Sequence, residues 1–129
     1  MNGLLLHGNL GVMATLLIVD DHAGFRGWAR ALLQGEGFDV IGEASDGNSG
    51  LDAARSLKPD VVLLDIRLPD RNGFEVAELI AALEQPPAIV LTSSHDARDY
   101  RARIAASTAK GFVSKDQLSR ASLEAVLSR

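Results

Sequence analysis

Three aspartates, a threonine and a lysine stand at or just beyond the ends of short apolar runs: Asp20, Asp21, Asp65, Thr92 and Lys115. Carboxylates that are brought together repel one another, and without a cation the pKa of at least one of them rises. A set of oxygen ligands without His or Cys favours Mg²⁺ or Mn²⁺ over zinc. An Asp carboxylate beside such an ion can attack phosphorus and form an acyl phosphate. These residues therefore indicate a divalent-metal site with an aspartate that can accept a phosphoryl group.

Each of these residues also has an ordinary explanation. An Asp after a strand is more often a turn or helix-cap residue than a ligand, a Thr at a strand end fits β-propensity, and a lone Lys is usually solvated. The metal-site interpretation therefore depends on a fold that brings all five side chains together.

Five short apolar runs alternate with helical patterns from residue 15 onward. The runs lie at 16–19, 40–41, 61–64, 88–91 and 111–113. Three of them are continuous rather than alternating, as expected when both faces of a strand are covered. Five βα units joined by short loops imply an α/β domain with a doubly wound, five-stranded parallel sheet and helices on both faces. Ligands of such sheets bind at the carboxyl ends of the strands, where the candidate residues stand.

Helical periodicity places further residues. The first helix has apolar residues at i, i+3, i+4, i+7 and i+8, which predicts one buried face: Phe25, Trp28, Ala29, Leu32 and Leu33. The fourth helix, at about 97–106, has the thinnest apolar stripe of the set. Asp116 is predicted to cap the last helix.

Composition argues against several classes of function. The chain is 47% hydrophobic and 23% charged, as in an ordinary globular domain. Its net charge of −4 and the lack of a Lys/Arg run argue against direct nucleic-acid binding. No apolar stretch approaches the roughly 20 residues that span a bilayer. The absence of cysteine is compatible with a reducing cytoplasm, where we expect the protein.

Residues 1–14 do not fit the βα pattern. Their one apolar run, at 4–6, has no basic residue before it and is followed by His7, Gly8 and Asn9, which makes a poor signal peptide. We interpret residues 1–14 as a flexible N-terminal extension, with Met13 as an alternative start, and residues 15–129 as the folded domain.

Four segments carry the candidate residues: LIVDDH at 17–22, LLDIRLPDRNG at 63–73, VLTS at 90–93 and GFVSK at 111–115. Together they resemble the receiver domains of bacterial two-component response regulators. The resemblance covers residues 15 to about 128, and its most specific part is the proline four and the glycine eight residues after Asp65. It implies a flavodoxin-like strand order, 2-1-3-4-5, with the site at the switch point.

The resemblance also implies a role for each matching residue. Asp65 would accept a phosphoryl group from a sensor histidine kinase. The ion, Mg²⁺ or Mn²⁺, would be bound by four groups: Asp20, Asp21, Asp65 and the backbone carbonyl of Arg67. Arg67 and Ser94 also occupy positions expected to tune dephosphorylation.

The remaining roles concern the phosphate and the output of the signal. Lys115 would pair with the phosphate, and Thr92 would move to hydrogen-bond it. Phe112 matches the switch aromatic that turns inward when Thr92 moves. The signal would leave through the surface of the fourth helix, the fifth strand and the fifth helix.

Lys115-Asp116 and the Asp-Asp-His at 20–22 resemble the receiver subclass that is joined to a helix-turn-helix DNA-binding domain. The chain ends just after its last helix, so we expect a stand-alone receiver or, slightly favoured, a fragment without its C-terminal output domain. The expected partners are the kinase, such an output domain and a second copy of the chain on phosphorylation.

Three rival interpretations are weaker. A Mg-dependent aspartyl-phosphate phosphatase of the haloacid-dehalogenase type needs a second Asp two residues after its first-strand nucleophile, where this chain has His22 after Asp20. A flavodoxin needs a hydroxyl- and glycine-rich phosphate loop where Asp20 and Asp21 stand. A scaffold that has lost phosphorylation would lack site residues, and all five are present.

Overall fold

The computed structural model describes residues 13–129, which form five strands, five α-helices and two short 3₁₀ turns. The strands are β1 (Thr15–Val19), β2 (Asp39–Ala44), β3 (Val61–Asp65), β4 (Ala88–Ser93) and β5 (Gly111–Ser114). The helices are α1 (Ala23–Gly35), α2 (Gly47–Leu57), α3 (Gly73–Ala81), α4 (Arg101–Ala106) and α5 (Arg120–Leu127). The 3₁₀ turns are Ala97–Asp99, before α4, and Lys115–Gln117, after β5. Within this part of the chain, no helix is both long and apolar enough to cross a membrane.

The strands form one parallel sheet in the order β2-β1-β3-β4-β5. This result confirms the predicted α/β fold and its strand order. β1 pairs with β2 on one side and with β3 on the other, so the order of the chain reverses beside β1. In a sheet of this kind, that switch point opens a crevice at the carboxyl ends of the strands.

The core lies on both faces of the sheet because successive strand residues point to opposite sides. In β1, Leu16 and Ile18 pack with α1 and α5 on one face, and Leu17 and Val19 pack with α2 and α3 on the other. All four side chains are fully buried. Burying a Leu, Ile or Val side chain stabilises the fold by about 1.5–3 kcal/mol. A strand covered on both sides therefore reads as a continuous apolar run.

Trp28 does not lie on the buried face that the periodicity predicts for α1. It is 51% exposed, whereas Ala29 and Leu33 are fully buried. The Trp28 ring packs against the ring of Phe25, with 5.9 Å between centroids. A wide side chain at the edge of a helical stripe can keep one ring face dry and the rest in water.

The prediction that Asp116 caps the last helix is wrong. α5 is capped by Ser119, whose hydroxyl accepts a hydrogen bond from the Ser122 N–H at 3.0 Å. The Ser122 hydroxyl in turn accepts from the Ser119 N–H at 3.0 Å, which completes a capping box. Asp116 lies in the preceding 3₁₀ turn and accepts a hydrogen bond from the Ser114 hydroxyl at 2.6 Å.

The fourth helix, predicted over 97–106, is interrupted at Tyr100. This residue has φ −126° and ψ 8°, which is not helical. Its ring lies 6.1 Å from the Phe74 ring of α3, and its hydroxyl accepts a hydrogen bond from Arg67 Nε at 3.1 Å. Contacts with α3 and with the segment before it therefore accompany the break, and residues distant in sequence supply them.

The predicted extension of residues 1–14 lies outside the described residues except for Met13 and Ala14. Ala14 packs against the core, and its carbonyl accepts a hydrogen bond from the Asp39 N–H at 2.9 Å. The assignment of residues 1–14 as an extension stays a prediction.

The start of α3 packs directly against the end of β3. The Gly73 N–H donates a hydrogen bond to the Ile66 carbonyl at 2.7 Å, and Asn72 caps α3 by accepting from the Phe74 N–H at 2.7 Å. A Cβ at Gly73 would overlap the Asp65 carbonyl oxygen and lie 2.6 Å from Ile66 Cα. Glycine therefore allows α3 to approach the backbone that carries Asp65.

Replacing Gly73 tests this close approach. Gly73→Ala should lower the free energy of unfolding by about 1–3 kcal/mol or more, because the backbone at Asp65 and Ile66 cannot yield as a side chain can. Gly27→Ala is the matched control: Gly27 lies inside α1 with open space at its Cβ position. It should raise the free energy of unfolding by about 0.5–1 kcal/mol. Urea denaturation measures both values, and equal effects of the two substitutions would contradict the packing argument.

Candidate functional site

The sheet brings the candidate side chains to one edge. Asp20 and Asp21 directly follow β1, and Asp65 is the last residue of β3. Thr92 lies on β4 opposite Asp65 in the strand register, and Lys115 directly follows β5. The carboxyl ends of four neighbouring strands thus supply three carboxylates, a hydroxyl and an ammonium. β2 supplies none of these five residues, in agreement with the sequence pattern.

Asp20 is fully buried and held by contacts at both its backbone and its carboxylate. Its N–H donates a hydrogen bond to the Ala44 carbonyl at 3.0 Å. Oδ1 accepts a hydrogen bond from the His22 N–H at 2.9 Å. Oδ2 forms an ion pair with Lys115, whose Nζ lies 2.6 Å away. The loop and β5 together fix where this carboxylate points.

Lys115 faces two carboxylates at once. Its Nζ lies 2.6 Å from Asp20 Oδ2 and 3.5 Å from Asp65 Oδ2. Nζ also lies 4.6 Å from the centroid of the Phe25 ring, a cation–π arrangement. One ammonium cannot neutralise two carboxylates, so the pair retains a net negative charge. The edge of the sheet is therefore attractive to a further cation.

The Asp65 carboxyl carries the electrostatic cost of this crowding. Burial, and then the negative charge of Asp20, raise its pKa from 3.8 to about 6. The Lys115 ammonium and the Arg67 N–H, which donates to Asp65 Oδ1 at 3.2 Å, oppose that rise. The predicted repulsion between the carboxylates thus contributes to the raised pKa of Asp65, although burial contributes more.

Thr92 is fully buried, and its hydroxyl has no hydrogen-bond partner among residues 13–129. A buried hydroxyl without a partner costs about 1–3 kcal/mol. The neighbouring Ser93 is equally buried, but its hydroxyl accepts a hydrogen bond from the His95 N–H at 3.0 Å. A buried polar group without a partner needs an explanation, and a ligand bound at this edge is one.

The donor set fits a small divalent ion. One ligand atom from each of Asp20, Asp21, His22 and Asp65 can be chosen so that all lie within 4.8 Å of one another. Oxygen ligands in an octahedron around Mg²⁺, at about 2.1 Å from the ion, are roughly 3–4 Å apart. Small side-chain movements would therefore bring the three carboxylates into ligand positions.

His22 lies beside the acidic cluster, although the sequence led us to expect no histidine there. Its ring Nδ1 lies 3.1 Å from Asp21 Oδ1 and 3.3 Å from Asp20 Oδ1, although the side chain is 70% exposed. Its place at the N-cap of α1, directly after the two aspartates, is the signal that could have found it.

The roles predicted for Arg67 and Phe112 remain predictions. Arg67 contacts Asp65 through its N–H, and no contact of its carbonyl tests the proposed ligand role. Phe112 is half-buried and packs in the core cluster that includes Tyr100 and Ile104. That packing against the core leaves the proposed movement of the ring untested.

A sequence model of the family described as the response regulator receiver domain matches residues 16–127. The chain belongs to this family. It is 36% identical over 113 residues to the probable transcriptional regulatory protein NarL of Mycobacterium tuberculosis, which covers 87% of this chain and 52% of that protein. It is 35% identical over 93 residues to the transcriptional regulatory protein PdtaR of the same species, covering 72% of this chain and 45% of that protein.

Solved structures agree with the family match. The signal receiver domain of NarL from Mycobacterium tuberculosis has a TM-score of 0.79 at 33% identity, covering 91% of this chain and 98% of that chain. The chemotaxis response regulator CheY4 of Vibrio cholerae has a TM-score of 0.77 at 27% identity, covering 92% of this chain and 98% of that chain. Membership of the receiver family removes the need for the phosphatase and flavodoxin interpretations. The chain spans about half the length of the regulatory proteins that it matches.

The raised pKa of Asp65 predicts a pH-dependent stability. An aspartate in the unfolded chain ionises near pH 4, whereas folded Asp65 ionises near pH 6. The folded state therefore binds more protons between these values, and the metal-free protein loses stability as the pH rises through that window. Two pKa units correspond to roughly 3 kcal/mol. Asp65→Asn should thus raise the free energy of unfolding by about 1–3 kcal/mol at pH 8 and much less at pH 4.

Urea denaturation with a chelator at the two pH values measures this difference. Asp52→Asn is the control because Asp52 is exposed on α2 and, among residues 13–129, forms an ion pair with Arg55 alone. It should change stability by less than about 1 kcal/mol at either pH. An Asp65→Asn effect that is the same at both pH values would contradict the raised pKa.

The hydroxyl of Thr92 predicts an unusual result for a core substitution. Thr92→Val removes a buried hydroxyl without stranding a partner, so the free energy of unfolding should stay unchanged or rise, by up to about 1–3 kcal/mol. Ser93→Ala removes the partner of the His95 N–H and should lower it by about 0.5–1.5 kcal/mol. Urea denaturation of the two variants gives the comparison, and a larger loss in Thr92→Val than in Ser93→Ala would refute it.

Proposed function

We propose that this receiver domain is a phosphorylation-dependent signalling switch in which Asp65 accepts a phosphoryl group from a sensor histidine kinase with Mg²⁺. The observation that carries the proposal is the buried Asp65 carboxylate, which shares the Lys115 ammonium with Asp20 at the switch point of the sheet. It supports the proposal because the two carboxylates and the ammonium that the proposed nucleophile, metal ligand and phosphate partner require lie at one edge.

Four groups would hold the ion: the carboxylates of Asp20, Asp21 and Asp65, and the backbone carbonyl of Arg67. The raised pKa of Asp65 supports a bound cation, because a positive charge there would offset the repulsion between the carboxylates. Bound Mg²⁺ would neutralise charge on the phosphoryl oxygens. Mn²⁺ suits the same oxygen ligands.

The residues of the chain divide the transfer step between them. An Asp65 oxygen attacks phosphorus, a new P–O bond forms, and the bond from phosphorus to the donor histidine nitrogen breaks with its electron pair left on that nitrogen. Lys115 then pairs with the phosphoryl oxygens. The hydroxyl of Thr92, which has no partner among the described residues, donates a hydrogen bond to one of them.

The change at Thr92 would spread to the surface formed by α4, β5 and α5. Thr92 and Phe112 form the predicted switch pair, and the half-buried Phe112 ring packs in the same cluster as Tyr100 and Ile104. α4 is a short helix, separated by Tyr100 from the 3₁₀ turn before it, and none of its residues is fully buried. A segment with so little burial can change its position at low cost.

The expected partners follow from the relatives. NarL and PdtaR are described as transcriptional regulatory proteins, and this chain spans about half of each. We propose that the receiver controls a C-terminal DNA-binding domain or a separate partner, with dimerisation on phosphorylation as one route. The net charge of −4 argues that this chain itself does not contact DNA. The cytoplasm is the proposed location, where a kinase can phosphorylate it.

Phosphorylation of the isolated chain tests the proposal. Incubation with Mg²⁺ and acetyl phosphate should add one phosphoryl increment to the intact mass, and base should remove it. Asp65→Asn and excess chelator should each abolish the increment, while the exposed control Asp52→Asn keeps it. No increment in the wild-type protein would favour a scaffold that has lost phosphorylation, and an increment that survives in Asp65→Asn would place the acceptor elsewhere.

A further inference from the structure

We propose that Arg26 is a positioning residue for the metal-binding aspartates and that it acts by bridging the Asp20 carbonyl to Glu43 of β2. This inference rests on the proposed metal site and extends it to a residue outside the acidic cluster. It also gives a role to β2, which contributes none of the five candidate site residues.

The guanidinium of Arg26 makes two directed bonds to two different segments. Nη1 donates a hydrogen bond to the Asp20 carbonyl at 2.7 Å, and Nε donates to Glu43 Oε1 at 3.1 Å. The Arg26 side chain is only 18% exposed. A planar guanidinium with donors on several sides suits such a bridge, and a lysine would supply a single point of attachment.

The position of Asp20 depends on this bridge because the loop after β1 is short. Only residues 20–22 separate β1 from α1. The Asp20 N–H is bonded to the Ala44 carbonyl, next to Glu43, and the Asp20 carbonyl is bonded to Arg26. The N–H of Asp20 thus binds β2 directly, and its carbonyl binds β2 through the side chain of Arg26. The orientation of the Asp20 carbonyl also sets the peptide plane that leads into Asp21, the second carboxylate of the pair.

Glu43 presents one carboxylate oxygen to each of two guanidiniums. Arg30 Nε donates to Glu43 Oε2 at 2.6 Å, while Arg26 occupies Oε1. The hydrogen bond from Arg30, together with the one from Arg26, holds the pKa of the Glu43 carboxyl below its usual 4.5. Glu43 therefore stays ionised at neutral pH, and both of its oxygens are engaged.

Arg30 provides a matched control for charge. Both arginines lie on α1 and pair with Glu43, but only Arg26 touches the Asp20 backbone. The side chain of Arg30 bonds instead to the Val40 carbonyl and to Gln34. If Arg26 acted on the ion only through its charge, removing either guanidinium would strengthen the binding of a cation. A positioning role predicts weaker binding from Arg26 alone.

The experiment is a calorimetric titration of the full chain with Mg²⁺ and with Mn²⁺. Arg26→Met and Arg30→Met each keep an apolar stem and remove the guanidinium. Arg26→Met should weaken binding of both ions roughly tenfold, as expected for groups that orient metal ligands. Arg30→Met should bind as tightly as wild type or more tightly, and Arg26→Lys should fall between wild type and Arg26→Met.

A second readout separates positioning from chemistry. At saturating Mg²⁺, Arg26→Met should be phosphorylated by acetyl phosphate to the same extent as wild type, with only the half-saturating Mg²⁺ concentration raised. Urea denaturation checks that the variant is folded. If Arg26→Met does not fold, Arg26→Lys replaces it in the titration. Wild-type ion affinity of Arg26→Lys would then overturn the two-bond bridge.

The remaining outcomes distinguish this inference from the proposed function. Equal ion affinities of Arg26→Met and Arg30→Met, in a chain whose wild type binds Mg²⁺ and accepts phosphate, would overturn the role of Arg26 alone. A wild-type chain that binds neither ion would overturn the proposed function, and the positioning role with it.

Discussion

The buried Asp20 and Asp65 carboxylates share one ammonium, that of Lys115, and this shortage of positive charge governs the candidate site. Removing a carboxylate from water costs several kcal/mol unless a cation or hydrogen bonds replace the water. Lys115 supplies part of that compensation, and the raised pKa of Asp65 shows that it is incomplete. The metal ion and phosphoryl group of the proposed function fit this imbalance, because one adds positive charge and the other gives Lys115 a new partner.

The scaffold can hold such an unfavourable cluster because its centre is strongly buried. β1 and β3 are covered on both faces, and each of the two core clusters contains residues from both strands. Asp20 directly follows β1 and Asp65 ends β3, so deeply buried strands set the positions of the two carboxylates. Gly73 adds a second constraint, since its lack of a side chain lets α3 pack on the backbone of Asp65. Burial of the central strands thus stabilises the fold at the place where the crowded carboxylates destabilise it.

Much of this arrangement could be predicted from the sequence, and the parts that could not depend on long-range contacts. Continuous apolar runs predicted the sheet because burial on both faces leaves no alternation to find. Local sequence patterns predicted the structure wrongly where contacts with residues distant in sequence determine it. Trp28 fits the helical stripe but lies at its exposed edge, and the helix expected at 97–106 is interrupted at Tyr100, which contacts Phe74 and Arg67. The proposed positioning role of Arg26 could not be predicted from local sequence either, because its partner Glu43 lies in the next strand.

Thr92 shows how the same site can provide a signal. A ligand shifts a conformational equilibrium only by the difference in its interaction with the two states. The Thr92 hydroxyl has no partner among the described residues, so a phosphoryl oxygen that accepted its hydrogen bond would bring a new interaction rather than exchange one for another. Such a difference, about 1–3 kcal/mol, corresponds to roughly a 5- to 150-fold change in a population. The segment after Thr92 leads through the Ala97–Asp99 turn into α4, where no residue is fully buried. Among the described α-helices, the one that would have to move is therefore the one that burial constrains least.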